Sequence, residues 1–213
     1  MDKDPHVNQV LRMAGAPLSE ARAAMIMIHG RGAMAEDILS LSAALDQKSF
    51  TFLAPQAAGN QWYPNTFRAP LETNQPWLDS ALKRIGDLLK HLNEAGIPPQ
   101  QVILLGFSQG ACLVLEYAAR NPRRYGGVVG LSGGLIGPDR LTRSLSGSLE
   151  KTPVFLGCSD QDAHIPLFRV QEASAALRSL NGMVTERIYA GMEHTVNLDE
   201  IEHVMHMVAA LLA

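Results

Sequence analysis

Gly106-Phe107-Ser108-Gln109-Gly110 is the stretch of this chain best suited to chemistry. In a G-x-S-x-G pattern the serine sits on a turn so tight that a Cβ at either glycine position would crowd neighbouring backbone. The surroundings sharpen the reading. Val102 to Leu105 precede the turn as an apolar, strand-like run, and Ala111 to Arg120 follow it as a helix-competent segment. A nucleophile elbow needs this strand–turn–helix order, and a helix N-terminus just beyond it favours developing negative charge. The chemistry implied is attack of the Ser108 hydroxyl on an acyl carbonyl. The plain alternative is a Gly-rich turn with a solvent-facing serine, and the flanking elements argue against it.

A serine hydroxyl is a weak nucleophile and needs a base that is itself oriented by a carboxylate. An elbow of this kind belongs to the α/β-hydrolase fold, where the chain order is Ser, then Asp or Glu, then His. His6, His29 and His91 precede Ser108 and fall out on that order. Of the later histidines, His164 follows the candidate acids too closely to leave room for a complete strand and helix. His203 and His206 flank the apolar stripe of the last helix, where a surface role is expected. Their spacing would suit a metal only with further ligands. His194 lies in a loop after a strand and before the last helix, where a base belongs. Asp160 and Asp162 both follow the strand-like PVFLGC, and strand-end position suits either. One of them could instead cap the helix near Pro166. His29-Gly30-Arg31-Gly32 follows the first strong strand, where the second oxyanion donor is expected. The predicted donors are the backbone N–H groups of Arg31 and Gln109. His29 is read as bracing the loop and the Arg31 side chain as solvated.

Short β-type runs alternate with longer helical patterns, which implies a mostly parallel central sheet with helices on both faces. Strands are predicted at 24–29, 50–54, 102–107, 127–132, 153–158 and 184–190, with another around 7–13. Leu78, Ala81, Leu82, Ile85, Leu88, Leu89 and Leu92 mark one face of a helix that Gly96 and Pro98-Pro99 end. Ile201, Val204, Met205, Val208 and Leu212 mark the last helix, with Asn197 and Glu200 as its cap. Two irregular stretches, 55–76 and 133–150, are long enough to be functional. Neither a repeat nor a linker divides the chain, so a single α/β-hydrolase domain over 1–213 is expected.

Composition sets the outer bounds. The 213 residues are long enough to bury a substantial core. At 46% hydrophobic and 18% charged the chain is that of a folded domain. A net charge of −3 gives no basic field, so no nucleic-acid partner is expected. Cys112 and Cys158 do not make a disulfide framework. The N-terminus lacks a signal-peptide pattern, and no apolar run reaches the roughly 18 residues of a membrane span. A cytoplasmic protein without stable membrane insertion is the expectation.

With these residues in place, the sequence resembles the phospholipase/carboxylesterase family, whose members include acyl-protein thioesterases. The resemblance rests on HGRGAMAEDIL (29–39), PQAAGNQWYP (55–64), LLGFSQGA (104–111), LSGGL (131–135), GCSDQDAHIP (157–166) and YAGMEHTV (189–196). It covers nearly the whole chain and implies a nucleophile at Ser108, a base at His194 and an acid four residues before Pro166, which is Asp162. Thioesterases acting on lipidated proteins usually carry Gly-Leu-Gly-Asp after the first histidine. The Gly-Arg-Gly-Ala of this chain is more similar to the bacterial carboxylesterase branch. Dienelactone hydrolases share size and fold but carry cysteine at the elbow.

The resulting expectation is a serine carboxylic-ester hydrolase acting on small to medium acyl esters through an acyl-enzyme. It needs neither a metal nor an organic cofactor. Trp62, Phe67 and Leu135 are the expected walls of the acyl pocket. A lysophospholipase or acyl-protein thioesterase with the same triad is the enzymatic alternative, and a non-catalytic ligand-binding module is the alternative from another class. The partner is a small-molecule ester. A homodimer is implied by the resemblance alone, with no interface readable in the residues.

Overall fold

The computed structural model describes residues 4–45 and 48–213. Among these residues, seven strands form one sheet: β1 (Leu11–Gly15), β2 (Ala23–Ile28), β3 (Phe50–Pro55), β4 (Val102–Phe107), β5 (Gly127–Leu131), β6 (Pro153–Ser159) and β7 (Met183–Tyr189). Their order is β1-β3-β2-β4-β5-β6-β7. Only β1 runs antiparallel to its neighbour, and the other pairings are parallel. A strand covered on both faces needs apolar residues at every position. Every residue of β2 is accordingly buried, whereas edge strand β7 alternates between exposed and half-buried.

The period-2 alternation divides the core in two. Ala24, Ile26 and Ile28 of β2 face a layer that includes α2 (Trp77–Glu94), α3 (Gln109–Arg120) and α4 (Leu167–Ser179). Ala23, Met25 and Met27 face the opposite layer, built on α1 (Ala35–Leu39) and α5 (Leu198–Leu212). The seven apolar positions read in α2 are all buried. The capping box predicted for α5 is formed: Glu200 donates its amide to Asn197 Oδ1 at 3.0 Å, and the Asn197 amide donates to Glu200 Oε2 at 2.9 Å. Among the described residues, no helix is long and apolar enough to cross a membrane.

The first strand begins later than expected. Residues 5–8 form a turn that seats His6 in the interior, and pairing with β3 starts only at Leu11. The topology also decides where a ligand can sit. From β2 the chain adds β3 on one side, then crosses to place β4 on the other. Open parallel sheets bind ligands beyond the strand carboxyl ends at such a reversal. Ile28 and Gly106 are register partners there, so the segments leaving β2 and β4 emerge side by side.

Candidate active site

Ser108 leaves β4 with φ 54° and ψ −117° as the N-cap of α3. A non-glycine residue at positive φ costs of order 1–3 kcal/mol and persists only where its surroundings enforce it. Here they do. A Cβ at Gly106 would lie 2.3 Å from the carbonyl of Gly110, and one at Gly110 would lie 2.1 Å from the Ile28 oxygen. Both positions admit glycine alone. The Ser108 amide donates to Leu131 O at 2.9 Å and its carbonyl accepts from the Cys112 amide at 3.0 Å, tying the elbow to β5 and α3.

His194 reaches Ser108 from the turn after β7. Its Nε2 lies 2.8 Å from Ser108 Oγ, and its Nδ1 lies 2.6 Å from Asp162 Oδ2. An ionised carboxylate only accepts, so Nδ1 donates to it and Nε2 is left to accept from the serine hydroxyl. The ring is held between Phe107, at 4.9 Å between centroids, and the edge of His164 at 4.8 Å. The Asp162 carboxylate is buried, and its Oδ1 accepts from the amides of His164 at 2.8 Å and Ile165 at 2.9 Å. Burial raises its pKa, but the hydrogen bonds from His194 and the two amides outweigh it and hold the carboxyl below the ordinary carboxylate value. Cys158 lies 3.8 Å from the same carboxylate, and burial pushes its thiol up to about 12, so it remains a neutral neighbour.

The two aspartates have separate jobs. Asp160 Oδ1 accepts from the Gly191 amide at 2.8 Å and so fastens the turn that carries His194. Neither aspartate caps the following helix: α4 starts behind Pro166 with no side-chain cap.

Ser108 and His194 open on a cavity of about 340 Å³ lined by Tyr63, Thr66, Phe67, Phe107 and Ile165 among others. Phe67 lies on its wall. Trp62 and Leu135 do not, and those two assignments are corrected. The Trp62 ring is fully buried between His6 and His29, at 5.2 and 5.0 Å between centroids, and donates Nε1–H to the His29 carbonyl at 2.9 Å. Leu135 faces a separate groove with Arg140, Leu141 and Arg143. Arg31 and Gln109 line the cavity beside Ser108, and neither backbone amide donates to another protein group among the described residues. The Arg31 side chain is not free in solvent, contrary to expectation. It donates to Gln61, Tyr63, Pro64 and Asn65. His29 does brace its loop: its Nδ1 lies 2.7 Å from Gly30 O, and its Nε2 accepts from the Ala57 amide at 3.1 Å.

Comparison with known proteins decides the family. A family model described as Phospholipase/Carboxylesterase matches residues 13–212. The chain belongs to the phospholipase/carboxylesterase family. It has the α/β-hydrolase fold of that family. A solved phospholipase/carboxylesterase from Dyadobacter fermentans is similar over 97% of both chains, with 41% identity and a TM-score of 0.90. Acyl-protein thioesterase 1 of Saccharomyces cerevisiae is 34% identical over 125 residues, which is 58% of this chain and 55% of that protein. The thioesterase of the same name from Kluyveromyces lactis is 30% identical over 63% of this chain and 60% of its own length. The match therefore spans little more than half of the yeast relatives.

Within this family member, the reading from sequence missed several residues that line the cavity. His164 was excluded as a base, and the structure sets it at the cavity edge against His194. Its place two residues after Asp162 is the available signal, because the amides that follow an aspartate often fold back onto its carboxylate. Tyr63 lines the cavity where its neighbour Trp62 does not, a choice decided by which way each ring turns. His203 stacks on Phe155 at 4.2 Å and His206 is exposed, both away from the cavity.

Proposed function

We propose that this chain is a serine carboxylic-ester hydrolase acting on small to medium acyl esters, with Ser108, His194 and Asp162 as its catalytic triad. The observation that carries the reading is the unbroken hydrogen-bond chain from Ser108 Oγ through His194 to the ionised Asp162, opening on an apolar-walled cavity. Ser108 Oγ attacks the ester carbonyl while His194 Nε2 takes its proton. Asp162 steadies the imidazolium that forms and fixes the ring's tautomer. The backbone amides of Arg31 and Gln109 receive the oxyanion, and losing one such donor costs on the order of 10²–10³ in rate. The intermediate collapses as His194 returns the proton to the leaving alcohol. Water, activated by the same imidazole, then releases the acid from the acyl-enzyme. Every proton has a donor and acceptor among these residues, the substrate and the attacking water.

A non-catalytic binding module, open on fold alone, is set aside because the family and the named relatives are carboxylesterases and thioesterases. A thioester or lysophospholipid substrate for the same triad is the second reading, its thioester form favoured by the names of the yeast relatives. A p-nitrophenyl ester series separates the two. Each methylene that finds a place adds ~0.8 kcal/mol of burial, so kcat/KM should rise and then fall beyond about eight carbons. A continued rise to sixteen carbons favours the second reading. Full activity of Ser108→Ala would sink both.

A further inference from the structure

Arg31 and Gln109 stand at the ends of two different loops, one after β2 and the other at the elbow. Their side chains nonetheless converge on one short segment, residues 61–65, which carries the cavity-lining Tyr63. Arg31 Nη1 donates to Gln61 Oε1 at 2.7 Å and Pro64 O at 3.0 Å, and its Nη2 donates to Tyr63 O at 2.8 Å and Asn65 O at 2.6 Å. Gln109 Oε1 accepts from the Trp62 amide at 2.8 Å, and its Nε2 donates to Tyr63 O at 2.8 Å. The Tyr63 carbonyl thus receives both side chains. We propose that this shared anchor makes Arg31 a positioning residue, which sets the spacing of the two oxyanion amides through its guanidinium. The proposal rests on the reading of those amides given above.

The anchor is itself fixed from behind. His6 Nδ1 accepts from the Ala58 amide at 3.1 Å, and its Nε2 lies 3.0 Å from Trp62 O. Asn74 Oδ1 accepts from the Asn65 amide at 2.8 Å, and the Gly32 amide donates to Asn60 O at 2.7 Å. A single exposed ion pair stabilises little. Arg31 instead spreads four hydrogen bonds over one short segment in the planar fork that only a guanidinium offers. Oxyanion stabilisation depends on donors being in place before charge develops, and a misplacement of about 1 Å can cost about 10²-fold. A loop that enters the site between Gly30 and Gly32, where no side chain restricts the backbone and Gly32 takes a positive φ of 80°, needs such a hold.

The test compares Arg31→Ala, Arg31→Lys and wild type, each rate normalised to active sites titrated with a fluorophosphonate. Arg31 is exposed, so truncation leaves no cavity in the core, and thermal melting checks folding. The expected result for Arg31→Ala is a fall in kcat of about 10- to 10²-fold with KM nearly unchanged. The Ki of a trifluoromethyl ketone, which forms a tetrahedral adduct on Ser108, should rise by the same factor. Arg31→Lys should recover little, because a point charge cannot span four acceptors. Unchanged kcat per titrated site in Arg31→Ala would overturn the proposal, as would full recovery in Arg31→Lys, which would assign the effect to charge. A wild-type chain that takes no fluorophosphonate would instead defeat the triad reading on which the proposal rests.

Discussion

Residues 55–76 and 133–150 look alike in sequence: both are long, both are irregular, and both follow the carboxyl end of a strand. The structure uses them differently. The first supplies Tyr63, Thr66 and Phe67 to the cavity and is gripped by His6, His29, Arg31 and Gln109. The second contributes nothing to the cavity that Ser108 lines. Its polar groups turn inward to the buried Glu116, which accepts from the Ile136 amide at 2.9 Å and pairs with Arg143 at 3.0 Å and Arg120 at 2.7 Å. Composition does not separate a working loop from a structural one. What separates them is which neighbours reach across: the first lies beside the reversal between β2 and β4, and the second wraps α3.

That contrast predicts that damage to the groups around the cavity lowers rate, while damage to the second stretch lowers stability. The largest effect is expected for Asp162→Asn. The amide still accepts from His164 and Ile165, but it can turn an N–H toward His194 Nδ1 and favour the wrong tautomer, so kcat should fall about 10⁴-fold with a small change in melting temperature. Steady-state kinetics on titrated enzyme reads this, and a loss under about tenfold would blur the contrast. Arg143→Ala should do the reverse. The Glu116 carboxylate stays fully buried with one cation fewer, at a cost of about 1–3 kcal/mol, and kcat/KM per titrated site should hold. Calorimetry and the same assay check both halves, and a fall in kcat would break the division.

The smallest effect is a pH dependence. Glu200 lies under the loop that carries His194, fully buried, with Oε1 lacking a partner among the described residues and packed against Gly157. Burial raises its carboxyl from 4.5 to about 7. The native state therefore holds a proton that the unfolded chain has released, and the stability this gives below pH 4.5 is lost as pH rises through about 7. His6 and His29 are lowered from 6.5, chiefly by burial, so their stability is present above 6.5 and lost as pH falls. The two slopes oppose each other, and the difference between Glu200→Gln and wild type isolates the first. The variant should gain a few degrees in melting temperature at pH 8 relative to its standing at pH 5, and a constant difference would contradict the assignment.

Much of this was legible in the chain. The strand at 102–107 lies at its predicted bounds, and those at 24–29, 50–54, 127–132 and 153–158 are within about two residues of theirs, because strands buried on both faces read as unbroken apolar runs; the edge strand predicted at 184–190 is shifted by one residue. Ser108 and His194 came from the elbow and the chain order. Between Asp160 and Asp162 strand-end position could not choose, and only the family resemblance did. The geometry gives the physical reason: Asp162 turns inward to the imidazole, while Asp160 holds the Gly191 amide. Pocket walls were the least legible. Trp62 and Tyr63 are adjacent and both aromatic, and nothing local says that His6, 56 residues earlier, turns one of them inward. The grip of Arg31 was hidden because its acceptors are mostly backbone carbonyls, which leave no mark in the residue types.

The central claim is that Ser108 is the nucleophile, activated by His194. Reaction of the whole chain with a fluorophosphonate probe, followed by mass spectrometry of its peptides, tests it most directly. The account predicts one adduct per chain, on the peptide containing Ser108, and its loss in His194→Ala. An adduct on another residue, or none on the folded chain, would contradict it.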